Sequence, residues 1–542
     1  MRFVLATLAL GMLPSLAAFA QDASTSKVDQ LFSVYNRPGS PGCSLGVIRD
    51  GEFVHRKGYG LASLELGVPL SPQSVSYMGS VSKQFTAAAI LLAAEQGYLS
   101  LDDDVRKYIP ELPDYGHVIT LRQMIHQTSG FRDFFTLLSL AGHDVANFNS
   151  PDEIFKIVVR QRGLNNIPGD EWIYSNTNYF LLGMVVKRVT KKSLAEFSAE
   201  NIFKPLGMSH TLFYDDHTLV VPGRVSAYDS GAHDTFRVDW STTYEVVGNG
   251  GLMSTVDDLL LWDRNFYANR LGKAALVQEL QTPGVLNNGT KISYAMGLFL
   301  GNYRGLPIVD HTGGLFGYWT ELLRFPEQKF TVICLCNAGS AVPDDLPRWV
   351  ADIYLADKLQ PGGSAINSSR NEKLPDPAAF AGKYLDPRTR VIYTFTASDG
   401  NLMAFGDVLR RVRTNQFSVG MYSIRFEFSN GITHAKIDIN GDPFFSGSRI
   451  EEIHLSEPAL DSYTGQFRST ELDAVYGLSL EKDTLILRNR DNPPQKLTPI
   501  AKDEFDAGDL GTLVFERDSG GRVLGLRVFT DEVRGVEFQK MK

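Results

Sequence analysis

The chain has 542 residues, with 53 basic against 62 acidic side chains and only three cysteines. Apolar residues make up 43% and charged residues 21%, which excludes a disordered polymer and a bundle of membrane helices. An acidic chain without a dense basic block is also a poor partner for nucleic acid.

The first twenty residues read as an export signal. Met1-Arg2 form a short cationic start, an apolar run covers residues 3–16, and Ala18-Phe19-Ala20 has the small-x-small pattern of a signal-peptidase site. Cleavage is expected between Ala20 and Gln21, placing the mature chain in the periplasm or outside the cell. Pro14 argues against a buried N-terminal helix, and Ser24-Thr25-Ser26-Lys27 read as disordered leader. No later segment reaches the ~18 apolar residues needed to cross a bilayer, so no transmembrane segment is expected after signal removal.

Residues 27–359 mix helix and strand signals. SLGVIRDGEFVHRKGYG (44–60) predicts a hairpin turning at Asp50-Gly51. FTAAAILLAAEQG (85–97) predicts a helix closed by Gly97. FTVICLCNA (330–338) reads as a fully buried strand, with Cys334 and Cys336 on one face as small hydrophobes. The odd cysteine count leaves at least one thiol unpaired. A hairpin at one end, a buried strand at the other and helices between predict an α+β domain, its antiparallel sheet joined by the chain ends.

Gly, Ser, Asn and Pro crowd residues 360–377, which read as a linker. Beyond it, short alternating strands with Gly, Asn and Asp turns predict all-β structure. The tail also repeats. Phe380-Ala381-Gly382-Lys383-Tyr384 returns as Tyr463-Thr464-Gly465-Gln466-Phe467, and Asn415-Gln416-Phe417 returns as Asp503-Glu504-Phe505. Two units of about 80 residues, 378–456 and 457–542, are each large enough for a small barrel. RNRDNPP (488–494) reads as a surface loop of the second unit.

Chemistry concentrates in three places. Ser80 and Lys83, in GSVSKQFT, stand three apart at the start of the Ala-rich helix and so share a face. The helix N-terminus favours an anion at Ser80, and a desolvated Lys83 can exchange protons near neutral pH. Pro168-Gly169 then lead a turn into Tyr174-Ser175-Asn176 ahead of an apolar helix. Tyr174 can serve as a base if the Lys83 charge depresses its pKa, and Asn176 can hold a substrate amide or the lysine. Tyr267-Ala268-Asn269 has the same spacing but lies in a helical tract and reads as ordinary helix surface. Third come His311-Thr312-Gly313-Gly314 before a strand, where glycines admit backbone close to substrate. The N–H groups of Gly314 and Ser80 are the natural oxyanion donors, and His311 can bind substrate or assist proton transfer.

These elements, in this order, resemble the serine β-lactamase and penicillin-binding protein superfamily, most closely its class C-like branch of β-lactamases, D-aminopeptidases, DD-peptidases and esterases. TLRQMIHQTSGFRDF and GNGGLMSTVDDLLLW also resemble connecting segments of that branch. The resemblance covers residues 27–359 and implies a β-lactamase/transpeptidase-like domain followed by two small all-β barrel-like domains. It implies Ser80 as nucleophile and Lys83 with Tyr174 as the proton-transfer pair. Asn176 becomes a substrate-side amide, and His311, Thr312, Gly313 and Gly314 the third motif. No metal or other cofactor is implied. One departure stands out: His311 occupies a position where class C β-lactamases place a lysine. A neutral imidazole offers no fixed charge to a substrate carboxylate, which shifts the expected substrate from β-lactams to esters, amides or D-amino-acid peptides, peptidoglycan-derived fragments included. A catalytically weak cell-wall-binding or sensor protein, or a class C-type β-lactamase, stands as the alternative. No G-x-S-x-G, H-E-x-x-H or P-loop pattern occurs.

Overall fold

Antiparallel pairing brings the two ends of the first domain together. In the computed structural model, which describes residues 16–144, 150–231, 235–238, 244–273, 275–341, 345–361, 375–490 and 492–542, strands β1 (Cys43–Arg49) and β2 (Glu52–Tyr59) form the expected hairpin. Asp50 and Gly51 both take positive φ, 53° and 79°, as the tight turn requires. Late in the domain come β3 (Phe299–Tyr303), β4 (Leu306–Leu315), β5 (Tyr318–Phe325) and β6 (Phe330–Cys336). The sheet order is β3-β4-β5-β6-β1-β2, so the first strand pairs with the last.

Strand β6 is buried throughout, and its period-two alternation splits it between two cores. Ile333 and Leu335 face the large core. That core holds helices α2 (Lys83–Glu95), α3 (Phe134–Leu140), α4 (Asn176–Thr190) and α5 (Val256–Ala268). Val332, Cys334 and Cys336 face the opposite core beneath the terminal helices α1 (Leu16–Leu31) and α6 (Leu346–Tyr354).

Two readings change here. Helix α1 runs through the expected cleavage point and takes in Ser24–Lys27, which are therefore not disordered leader. Nothing in that segment breaks a helix, and Val28 and the following Phe32 are fully buried against the sheet. The expected signal's first fifteen residues lie outside the described residues, as do residues 362–374 of the expected linker. The second change concerns sulfur. Cys43 stands directly opposite Cys336 across the β1–β6 pair, and the two form a disulfide, leaving Cys334 as a buried free thiol. The partners lie 293 residues apart, so only the closed sheet identifies them.

The tail forms two barrel-like units. The first is a nine-stranded antiparallel sheet from Gly382–Leu385 to Asp442–Ile450. Its edge strands, Asp407–Val408 and Arg410–Arg413, are separated by the single residue Leu409. The sheet therefore curls its two edges together around Phe380, Phe395, Phe417 and Phe426. The second is a closed eight-stranded barrel from Gly465–Ser469 to Arg534–Lys540. Gly382 and Gly465, matched in the repeat, share an unusual backbone with φ of 143° and 132°, open to glycine alone without strain.

The second barrel docks on the first domain. Tyr476 Oη and Asn489 Nδ2 both donate to Leu140 O at 2.9 Å, and a buried ion pair joins Arg132 to Glu471 at 2.9 Å. Apolar packing is continuous across this junction. The RNRDNPP stretch belongs to it, with Asn489 and Asn492 bonding to α3 and Arg490 to His143. It is thus a docking loop rather than a free surface loop.

Candidate active site

A 3₁₀ turn, Gly79–Ser82, runs directly into α2 and sets Ser80 one turn before Lys83. Lys83 is wholly buried. Its Nζ lies 2.8 Å from each of three oxygens: Ser80 Oγ, Asn176 Oδ1 and the backbone carbonyl of Asn249. Burial lowers its pKa to about 7, against the opposing pull of Asp133 and Glu532.

Tyr174 comes from the loop before α4, with its ring centroid 4.8 Å from Lys83 Nζ and its phenol under the influence of the Ser80 hydroxyl. Here the electrostatics run against the expected phenolate. Burial pushes Tyr174 well above its ordinary value of 10, and the Ser80 hydroxyl only partly offsets this. Tyr174 is a neutral phenol at neutral pH. The loop itself is anchored from below: Ser175 N and Asn178 Nδ2 both donate to Gln127 Oε1, at 3.1 and 2.6 Å.

The third motif lies on β4. Strand β3 pairs only with Leu306–Asp310, so from His311 to Leu315 one edge of β4 is left to face the Ser80 turn. The approach is close. A Cβ on Gly313 would stand 2.2 Å from Met78 O and 2.8 Å from Ser80 N, and one on Gly79 would stand 2.8 Å from Gly314 N. His311 Nδ1–H donates to Thr312 O at 2.6 Å, and Tyr294 Oη donates to Nε2 at 3.3 Å. Burial, reinforced by the Lys83 charge, holds His311 down to about 3, so the imidazole is neutral.

Ser80, Tyr174, His311, Thr312, Gly313 and Gly314 line one pocket of about 260 Å³. Lys83 and Asn176 stand directly behind Ser80. Tyr267 and Asn269 stay at the end of α5, away from the pocket.

Sequence reasoning missed several residues. Asn249 contributes a main-chain oxygen, for which side-chain patterns carry no signal. Asp133 caps α3 through Phe135 N and Thr136 N and accepts from Asn176 N at 2.5 Å. Burial raises its pKa. Met421, Tyr422 and Phe444 of the first barrel-like unit line the pocket, as do Asp531 and Glu532 of the second. Glu532 accepts from Thr136 Oγ1 at 2.6 Å, and its carboxyl titrates well above the usual range because it is buried beside Asp133. Among the described residues, the two groups that gather potential metal ligands are Cys43-Cys334-Cys336 and Asp216-His217-Glu245. Neither lines this pocket.

Comparison with known proteins agrees with this architecture. The family described as Beta-lactamase matches residues 28–356. A D-aminopeptidase of Brucella anthropi is 25% identical over 528 residues, covering 93% of this chain and 96% of its own. Among solved structures, the octameric penicillin-binding protein homologue from Pyrococcus abyssi superposes with a TM-score of 0.56 at 19% identity, over 88% of this chain and 99% of its own. The D-amino acid amidase from Ochrobactrum anthropi SV3 gives a TM-score of 0.52 at 21% identity, over 62% of this chain and 99% of its own.

Proposed function

Because the chain belongs to the β-lactamase family, we propose that it is an exported serine hydrolase that removes the N-terminal D-residue of peptides, or the amide of D-amino-acid amides, through an acyl-enzyme on Ser80. One observation carries the substrate choice. Among the described residues lining the Ser80 pocket there is no lysine or arginine, whereas Asp531 of the second barrel lines it with a carboxylate, beside the buried Glu532. A carboxylate at the pocket wall attracts a free α-ammonium group and repels the carboxylate that a β-lactam carries. The neutral His311 supplies nothing to reverse that balance.

The chemistry follows from the proton inventory. With a pKa of about 7, Lys83 is partly a free amine at neutral pH. It takes the Ser80 proton as Oγ attacks the substrate carbonyl. The resulting oxyanion sits between Ser80 N–H and the edge of β4. Collapse breaks the C–N bond, and the leaving amine takes its proton from the phenol of Tyr174, which Lys83 then reprotonates. Water, deprotonated by the same pair, hydrolyses the ester and returns the proton to Ser80. Export is supported by the N-terminal pattern and by a disulfide, a bond that persists in oxidising compartments. The relatives named as D-aminopeptidase and D-amino acid amidase support the D-amide class.

The test is hydrolysis of D-alanine p-nitroanilide, its L-isomer, its N-acetyl derivative and a chromogenic cephalosporin, with Ser80→Ala as control. The free D-amine should be cleaved fastest, with a mass shift of one acyl group on the intact protein, both lost in the variant. Equal rates on the N-acetyl compound would remove the ammonium-recognition role, and a faster cephalosporin would restore the β-lactamase reading.

A further inference from the structure

A second chamber of about 450 Å³ adjoins the catalytic pocket. The two share the walls Trp172, Ile173, Ile439, Phe444 and Asp531. All three parts of the molecule build the chamber: the loop at Asp170–Trp172, the first barrel-like unit around Arg388 and Asp442, and Asp531 with Arg534 of the second.

An enzyme that removes one N-terminal residue has a single residue on the acyl side of the scissile bond. The smaller pocket, bounded by Ser80 and the Asp531-Glu532 pair, suits that residue. Any further length of substrate lies on the leaving-group side. The chamber adjoining the pocket is large enough for such an extension.

Its charge is uneven. Four carboxylates line it, from Asp170, Glu171, Asp442 and Asp531, against the two guanidiniums of Arg388 and Arg534. Both guanidiniums are committed to Glu171, at 2.7 and 3.0 Å. Asp170 accepts from Asn287 Nδ2 at 2.7 Å, Asp442 from Ser293 N, and Asp531 from Tyr393 Oη at 3.1 Å. These are neutral donors. Among the described residues, no cationic side chain pairs with any of the three aspartates, so the chamber keeps an excess of negative charge facing its contents.

We propose that this chamber is the leaving-group subsite and that it selects peptides carrying a positively charged residue after the scissile bond; the proposal rests on the aminopeptidase reading above. The aromatic and aliphatic walls take the peptide's apolar stems, and the aspartates take its ammonium or guanidinium.

The test uses the full-length protein and D-alanyl tripeptides with Lys, Ala or Glu in second place, beside D-alanine p-nitroanilide, whose leaving group is uncharged. At low salt, kcat/KM should fall in the order Lys, Ala, Glu, with about tenfold between the extremes. High salt should compress the ratio. Asp170→Lys, on an exposed loop, should reduce the Lys preference severalfold. A flat response across the three peptides at low salt would overturn the subsite without touching the aminopeptidase reading. Failure to cleave the p-nitroanilide and all three peptides would overturn that reading instead. The wild-type substrate series decides the matter even if the variant does not fold.

Discussion

Lys83 is a cation buried without a touching carboxylate, and both its catalytic and its energetic behaviour follow from that. Its three close contacts are a hydroxyl, an amide oxygen and a backbone carbonyl, so desolvation dominates and its pKa falls to about 7. As the free amine is the form that accepts the Ser80 proton, kcat/KM should rise with pH through an acid limb centred near 7. A pH–rate profile on D-alanine p-nitroanilide reads this directly, and a flat profile from pH 5.5 to 8 would exclude Lys83 as the base. Stability carries the same signature with a defined sign. Above pH 7 the folded state has released the Lys83 proton, whereas the unfolded chain holds it up to its ordinary value of 10.5. The unfolded state therefore binds more protons in that window, and this group's contribution to stability rises with pH across it. Glu532 and Asp133 have raised folded values and pull in the opposite direction. Urea midpoints of wild type and Lys83→Met between pH 7 and 10 should differ least at the alkaline end.

At the level of elements, β4 meets the Ser80 turn with no space for a side chain. Gly313→Ala would put a methyl group 2.2 Å from Met78 O, and backbone on both sides would have to move. Displacing the oxyanion edge by even a fraction of an ångström should lower kcat by on the order of 10²-fold while KM changes little. Near-wild-type kcat in that variant would show the contact to be dispensable. The same contact explains what the sequence could reveal. Ser80 with Lys83, Tyr174 with Asn176, and His311 through Gly314 are each close in sequence, so helix spacing and turn residues expose them. The sheet was legible for a related reason: the Asp50-Gly51 hairpin and the buried run FTVICLCNA are local patterns. Asn249 was hidden because it acts through its carbonyl, Cys336 because its partner lies 293 residues away. The raised pKa of Tyr174 is not legible in sequence, because the depth of its burial is a tertiary property. Asp531 and Glu532 were invisible for a stronger reason: no spacing rule relates them to residue 80, and only the docking of a separate barrel brings them there.

Docking at the scale of the molecule centres on Arg132. Its Nη1 pairs with Glu471 Oε1 at 2.9 Å, while Nε and Nη2 both donate to Arg534 O, at 3.2 and 2.8 Å. One guanidinium thus fixes the barrel wall and the base of the loop that carries Asp531 and Glu532. The pair is almost inaccessible, with side-chain exposures of 4% and 6%. Removing one partner strands the other charge, at a cost of about 3–5 kcal/mol, whereas replacing both with apolar groups is often neutral. Arg132→Met should therefore lower the urea-derived unfolding free energy by about that amount, and adding Glu471→Leu should recover much of it. Activity should not recover in parallel, because the double variant still lacks the two bonds to Arg534 O and the loop stays loosely held. The expected kinetic mark is a raised KM for D-alanine p-nitroanilide in both variants. A double variant with restored stability and wild-type KM would mean that the loop is held by its other contacts, Asp133 N to Glu532 O and Asn165 Nδ2 to the same oxygen. A single variant costing under about 1 kcal/mol would mean that the junction is hydrated and the pair behaves as a surface ion pair.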